Sequence, residues 1–370
     1  MNRYAANIRV LIVDDSAVVR QLLTVVLQSD PRIEVVGVAA DPFVARSRIR
    51  ELDPDVITLD VEMPRMDGLT FLRNLMRLRP TPVVMFSSLT ARGAAASLEA
   101  LAIGAVDVLA KPGGDPAGGI EAMAEQLIEK VKAAAGANRR AMERIASGVR
   151  ANRGGIPSAA TVPAPRTAGS CVVAIGASTG GTEAIKEVLL GLPGTAPVLI
   201  AQHIPPGFST AFAKRLDGLC ALKVTEAQGG ERLQPGEVYI APGGRHLILD
   251  ADREGYVCRV QDTDPVNRHR PSVDVLFRSV AQTAGPRSVA ALLTGMGDDG
   301  ARGLKVLREA GAQTLVQDEA TSVVWGMPGR AYELGAAGQV VALPRMAAAI
   351  AAAVSGCLPQ RARVRAVPDE

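Results

Sequence analysis

The residues Gly176-Ala-Ser178-Thr179-Gly180-Gly181 follow an apolar run, Val172–Ile175, and precede a helical pattern. This is the G-x-S-x-G spacing of the sharp strand-to-helix turn that exposes a nucleophilic serine. No Gly-Lys-Ser/Thr follows, so it is not a Walker A loop, and the spacing fails the G-x-G-x-x-G pattern of dinucleotide binders. A Gly-rich phosphate or packing turn fits the same residues equally well. Backbone N–H groups at the helix start suit an oxyanion. A serine nucleophile needs a base, and the chain has three histidines. His203, in AQHIPPG, directly follows the apolar run Val198–Ala201. It shares a sheet edge with Ser178 if the two strands are parallel neighbours. His246, in PGGRHLIL, enters a strand, where a packed histidine is the ordinary case. His269, in NRHRPSVD, lies in a charged loop and suits substrate contact. His203 is therefore the best base by position. The orienting carboxylate is left open between Asp298 and Asp299, which both follow Val289–Leu293 in LLTGMGDDG. Either also suits a helix N-cap. The order Ser…His…Asp departs from the Ser…Asp…His order of α/β-hydrolases.

A second set is acidic. Asp14 and Asp15 follow the strand pattern Arg9–Val13, and Asp60 follows Val56–Leu59. Converging carboxylates repel each other and are stable around a hard, oxygen-ligated cation such as Mg²⁺. Ser87 follows Val83–Phe86 and adds a hydroxyl; Lys111 follows Val106–Leu109 and adds a cation. Together they make a phosphoryl-accepting site, in which metal and lysine neutralise the phosphoryl oxygens while one Asp attacks. Lys111-Pro112 is an X-Pro bond and a candidate cis peptide.

The elements that must carry these residues alternate. In the first part, strands Arg9–Val13, Ile33–Ala39, Val56–Leu59, Val83–Phe86 and Val106–Leu109 are interspersed with helical patterns at Ser16–Gln28, Pro42–Glu51 and Ala122–Ala135. Such alternation predicts βαβ units and a parallel sheet, whose carboxyl-end loops line the ligand crevice. The pattern fails over 136–169, where six arginines (139, 140, 144, 150, 153, 166) face one glutamate, Glu143, among Gly and Pro. Its first part, to about Ala146, extends a helical pattern; the rest reads as a solvated linker. From Cys171 the alternation resumes, with strands at Cys171–Ile175, Val198–Ala201, Val224–Glu226, Val238–Ile240, His246–Leu249, Val257–Val260, Val289–Leu293 and Thr314–Gln317, some of them antiparallel. Helices are expected at Thr182–Leu190, Phe208–Leu216, Val273–Thr283 and Gly300–Ala310. The fold class is α/β in two domains: a doubly wound parallel sheet, then a second doubly wound α/β domain with some antiparallel strands. The domains are 1–135, a linker at 136–169, 170–358, and a tail at 359–370.

Composition agrees. The 370 residues are 48% hydrophobic and 21% charged, an ordinary globular balance. Aromatics are only 3%, which argues against stacking platforms for single-stranded nucleic acid. A net charge of +3 is too small to imply nucleic acid, and no helix-turn-helix pattern is evident. The four cysteines are dispersed, with no C-x-x-C pair for zinc or redox work. No apolar run reaches about 18 residues, and MNRYAANIR lacks a signal-peptide core. A cytoplasmic protein without membrane insertion is expected.

Two resemblances sharpen these readings. VDDS (13–16), LDVEMPRMDG (59–68), FSS (86–88) and AKP (110–112) resemble the motifs of a response-regulator receiver domain, a flavodoxin-like fold. The likeness implies phosphorylation on Asp60. Asp14, Asp15 and Asp60 would bind Mg²⁺ with the backbone carbonyl of Glu62, and Ser87 and Lys111 would hold the phosphoryl group. Val108 stands where many receivers carry an aromatic switch residue. AIGASTGGTEAI (174–185), AQHIPPGF (201–208), APGGRHL (241–247), RPSVDVLF (270–277), LLTGMGDDGARGL (292–304) and QDEATSVVWGMPG (317–329) resemble the catalytic domain of the chemotaxis protein-glutamate methylesterases. That likeness implies Ser178 as nucleophile, His203 as base and Asp299, rather than Asp298, as orienting acid. Backbone N–H groups of Thr179 and Met296 would form the oxyanion hole. It further implies hydrolysis of glutamyl methyl esters, and deamidation of glutamines, on the cytoplasmic region of chemoreceptors. A chemotaxis histidine kinase would be the phosphodonor, and the catalytic domain would need no cofactor.

Overall fold

The computed structural model describes residues 7–88, 90–111, 116–151 and 171–357. The first domain contains β1 (Ile8–Val13), α1 (Ala17–Gln28), β2 (Ile33–Ala39), α2 (Pro42–Leu52), β3 (Val56–Asp60), α3 (Gly68–Leu78), β4 (Val83–Ser87), α4 (Ala91–Ile103), β5 (Asp107–Ala110) and α5 (Pro116–Ala135). Its five strands are all parallel, in the order β2-β1-β3-β4-β5. Strands β3 and β4 are buried at every position, as apolar strands covered on both faces must be. Polar caps set the helix starts. The side chains of Ser16, Asp41, Asp67 and Thr90 accept from backbone N–H groups in the first turns of α1 to α4. The strand order reverses between β1 and β3, so the crevice opens at their carboxyl ends. Asp14 and Asp15 follow β1 there, and Asp60 ends β3.

The second domain contains β6 (Val172–Ala177), α7 (Gly181–Gly191), β7 (Val198–Gln202), α8 (Phe208–Asp217), β8 (Lys223–Glu226), β9 (Glu237–Ile240), β10 (His246–Asp252), β11 (Gly255–Gln261), α9 (Val273–Thr283), β12 (Ser288–Leu292), α10 (Ala301–Glu309), β13 (Gln313–Gln317), α11 (Met327–Glu333), β14 (Gln339–Val341) and α12 (Leu343–Cys357). Seven strands form one parallel sheet, β14-β13-β12-β6-β7-β9-β8. The expected antiparallel strands are the separate hairpin β10–β11. Strand β6 lies between β12 and β7, so the loops after these three strands meet at one sheet edge. No helix among the described residues is long and apolar enough to cross a membrane.

The first part of the segment between the domains is helical, as expected, and packs against both domains. A helix, α6 (Arg139–Ala151), runs past the predicted helical limit near Ala146. It docks because it is amphipathic: Ala141 and Met142 are buried in a cluster shared by α5 and Val323 of the second domain. Burying one methionine contributes about 2 kcal/mol. Asn138 N–H donates to Val323 O at 2.8 Å, and Arg144 Nη2 donates to Thr321 O at 3.4 Å. The remainder of the linker, the tail, Pro112 and its preceding peptide bond lie outside the described residues. The domains also meet directly. Helix α4 packs against α7 and α8, and Arg215 donates from α8 to the carbonyl of Leu98 on α4.

Candidate active site

Ser178 is held by its backbone: its N–H donates to Thr294 O at 3.0 Å, and its carbonyl accepts from Gln202 Nε2 at 2.9 Å. The turn into α7 uses Gly180 at φ 75°, a left-handed conformation that suits glycine. A Cβ on Gly295 would come within 2.7 Å of the Ser178 Cβ, so close approach of the β12 loop also depends on glycine. His203 follows β7, and its Nδ1 lies 3.1 Å from Ser178 Oγ. Its Nε2 lies 2.8 Å from Asp299 Oδ2. With Nε2–H donating to the carboxylate, Nδ1 carries the lone pair that accepts the serine hydroxyl. The residues implied at three strand ends are thus joined by two hydrogen bonds. Asp298 is exposed beside them on the same loop, while Asp299 is buried.

Asp299 is held from all sides. Its Oδ2 also accepts Val273 N–H at 2.6 Å. Its Oδ1 accepts Ser272 Oγ at 2.8 Å, Asn267 Nδ2 at 2.7 Å and Asp274 N–H at 3.3 Å. Burial alone would raise its pKa, but the bonds from His203, Asn267 and Ser272 outweigh burial and hold it well below the usual carboxylate range. It stays ionised and fixes the tautomer and ring orientation of His203. Neither Thr179 N–H nor Met296 N–H donates to an acceptor among the described residues. Both residues line the same cavity as Ser178, of about 340 Å³. Two free N–H groups beside a serine can receive a developing oxyanion.

The other two histidines take different parts. His246 is buried; its Nδ1 accepts Ser272 N–H at 3.1 Å and its Nε2 donates to Asp264 O at 3.1 Å. It is a packed residue that steadies the segment holding Asp299. His269, expected to suit substrate contact, lines the same cavity and stacks on the His203 ring, with centroids 3.7 Å apart. Burial, then the facing His203, pushes its pKa down to about 3, so it is a neutral ring at working pH.

In the crevice of the first domain, ligand atoms of Asp14, Asp15 and Asp60 lie within 4.8 Å of one another. Lys111 Nζ stands 2.9 Å from Asp60 Oδ2 and 3.3 Å from Asp14 Oδ2. These are charge contacts; neither buried oxygen has a well-directed hydrogen bond. Burial pushes Asp60 up to about 6, with the Asp14 charge adding to it against Lys111. Burial likewise raises Asp14. For Lys111, burial alone would lower the pKa, but the adjoining carboxylates of Asp60 and Asp14 raise it above the ordinary range. Two orphaned buried oxygens in an under-neutralised, all-oxygen cluster fit Mg²⁺. Ser87 is buried at the end of β4 with its hydroxyl toward Gly93 O at 3.3 Å, and Glu62 is exposed after β3. Val108 is buried at 4% exposure and occupies the core.

Sequence reasoning missed the supports. Ser272 caps α9 and carried a readable signal, a serine directly before an apolar helical run. Asn267 carried none. Nor did the contact of Asp107 Oδ2, on the first domain, with Thr179 Oγ1 at 2.5 Å.

Two family models match the chain. Residues 173–350 match the CheB methylesterase family model, and residues 10–121 match the response regulator receiver domain model. A protein-glutamate methylesterase/protein-glutamine glutaminase of Xanthomonas campestris pv. campestris is 59% identical over 92% of this chain and 95% of its own length. One of Nitrosomonas europaea is 51% identical over 97% and 99%. The solved CheB methylesterase catalytic domain of Thermotoga maritima is 36% identical, covering 50% of this chain and 98% of that one, with a TM-score of 0.48. With a receiver ahead of a methylesterase domain, and such identity over nearly its whole length, the chain belongs to the protein-glutamate methylesterase/protein-glutamine glutaminase family of chemotaxis response regulators.

Proposed function

We propose that Ser178, His203 and Asp299 are the catalytic triad of this methylesterase and glutaminase. The observation that carries the reading is the hydrogen-bond chain Ser178 Oγ, His203, Asp299, at 3.1 and 2.8 Å. His203 Nδ1 takes the Ser178 proton as Oγ attacks the γ-carbonyl carbon of a glutamyl methyl ester. The oxyanion is received by the N–H groups of Thr179 and Met296. His203 returns the proton to the leaving methanol, and water then hydrolyses the acyl-serine with His203 again as base. With a glutamine, ammonia leaves instead. The substrate residues lie on the cytoplasmic region of chemoreceptors, which puts the enzyme in the cytoplasm.

In the receiver, Asp60 is the phosphoryl acceptor from a chemotaxis histidine kinase. Asp14, Asp15, Asp60 and the carbonyl of Glu62 would hold Mg²⁺, which when bound neutralises the phosphoryl oxygens. Ser87 and Lys111 hold the phosphoryl group. The unphosphorylated receiver closes the catalytic cleft: Gln126, Glu129 and Lys130 of α5 line the cavity that Ser178 and His203 line. Phosphorylation shifts the population toward an open arrangement. The test is methanol release from a methylated chemoreceptor fragment by the full chain, with and without a small phosphodonor. Ser178→Ala should abolish release; persistence shows the nucleophile to be elsewhere. Equal rates with and without phosphodonor, and in Asp60→Asn, sink the coupling.

A further inference from the structure

The turn that carries His269 also shapes the mouth of the catalytic cavity. Val266 and His269 exchange both backbone hydrogen bonds, N–H to O at 3.1 and 2.9 Å, so Asn267 and Arg268 are the two central residues of a tight turn. Both take positive φ, 51° and 65°. Such turns favour glycine or asparagine at these positions. Asn267 fits that preference and donates to Asp299 and Asp274. Arginine at the second position is out of keeping with the backbone. Strain of this kind persists where the side chain has a task.

That side chain lines the catalytic cavity, and its charge is answered from the other domain. Arg268 Nη1 lies 3.0 Å from Glu129 Oε1 on α5. The other cations of the cavity wall have closer ties. Lys130, itself on the receiver, is paired with Asp107 at 2.6 Å. Arg270 is bound within its own loop, to Asp262 at 2.9 Å and Thr263 O at 3.0 Å. If the receiver withdraws, Arg268 is the cation that loses its carboxylate. One turn before Glu129 on the same helix, Gln126 also borders the cavity. The closed cleft therefore faces a helix showing a glutamine and, three residues on, a glutamate. The enzyme's own substrates are glutamine and esterified glutamate.

We infer that Arg268 is a substrate-recognition residue: it binds a carboxylate one helical turn from the reacting glutamyl group, and α5 imitates that acidic helix when the cleft is closed. The inference rests on Ser178 marking the reaction centre. It names the partner by chemistry, as an α-helix bearing an acidic residue beside the ester.

The test uses the full chain with Mg²⁺ and a small phosphodonor. The probes are synthetic helical peptides carrying one γ-methyl glutamate, with Glu, Gln or Lys three residues later. The wild type should favour the Glu peptide over the Gln peptide by about fivefold in kcat/KM, through KM, the upper end for an ion pair open to water. Arg268→Asn, chosen because Asn tolerates the left-handed backbone, should bring that ratio near one. Arg268→Lys should keep part of it, and Arg268→Glu should favour the Lys peptide. A purely structural role for Arg268 lowers all peptides alike and leaves the ratio intact. As a second readout, added salt should shrink the wild-type preference. A ratio near one in the wild type, or one retained by Arg268→Asn, overturns the inference. Turnover surviving in Ser178→Ala overturns instead the reading of the reaction centre, whatever the ratio.

Discussion

Replacing Asp299 by Asn removes a charge without changing volume, and the surrounding donors decide which way the new amide turns. Five groups donate to the carboxylate: His203 and Val273 N–H to Oδ2, and Ser272, Asn267 and Asp274 N–H to Oδ1. The new amide NH₂ must face one of these sets. At the Oδ1 position it opposes Asn267 and Asp274 N–H, and only the Ser272 hydroxyl can turn to accept. At the Oδ2 position it opposes a single fixed donor, Val273 N–H. The Oδ2 orientation is therefore preferred, and His203 must then accept at Nε2. Its proton moves to Nδ1, which faces Ser178 Oγ at 3.1 Å and can no longer act as base. The wrong tautomer of an otherwise intact triad lowers kcat about 10⁴-fold, which is about 5.5 kcal/mol of barrier. One buried, unanswered N–H costs a further 1–3 kcal/mol of stability, roughly. The assay is methanol release with phosphodonor at fixed pH, alongside urea denaturation. KM should change little. A kcat within about tenfold of wild type refutes the role given to Asp299.

Three further outcomes are expected. Asp107→Ala removes the Thr179 contact between receiver and catalytic domain; a charge-assisted bond of about 1.5 kcal/mol should raise the rate without phosphodonor about tenfold and reduce the stimulation phosphorylation gives. An unchanged basal rate denies that contact a role in closure. His269 has a folded pKa of about 3 against an ordinary 6.5, so the folded state refuses a proton that the unfolded chain accepts. Stability should therefore fall as pH drops below 6.5, by about 1.4 kcal/mol per unit, and His269→Phe should lack that loss; urea midpoints at pH 7 and 5.5 decide, and equal losses in both proteins refute the burial argument. Asp60, raised from 3.8 to about 6, costs stability as it ionises between those values, up to about 3 kcal/mol by pH 7. Metal-free Asp60→Asn should melt higher than wild type at pH 7, less what Lys111 loses with its partner. The gap should close toward pH 4 and narrow when Mg²⁺ is added; equal Tm values at pH 7 contradict it.

The division between what was legible and what was not tracks the range of the interactions. Strands such as Val83–Ser87 and helices such as Val273–Thr283 are written in local apolar patterns, and β-strand ends carry their polar residues next in sequence. Asp14, Asp60, Ser178 and His203 could be singled out as candidates because an α/β sheet collects strand ends at one edge. Asp298 and Asp299 could not be separated by spacing; the motif likeness chose Asp299. Only Asp299 turns into the donors of Asn267, Ser272 and α9, which lie about 25–32 residues earlier in the chain. The docking of α6 was hidden by its arginines: the periodicity of Ala141, Met142 and Ile145 is brief, and its partner, Val323, lies in a loop of the other domain.

Contacts between distant segments had no local signature at all, and the most consequential of them concern the turn at 266–269. Nothing in the string NRHR marks Asn267 as an Asp299 ligand, Arg268 as the partner of Glu129, or His269 as the ring on His203. Three successive residues serve three different needs because a turn with two positive-φ residues fans its side chains apart. A helix or strand would have set them on a repeating face. The turn joins the acid's orientation, the base's stacking and the receiver's closure in one short segment. A change there should therefore alter catalysis and regulation together, whereas a change at Asp107 should alter regulation alone.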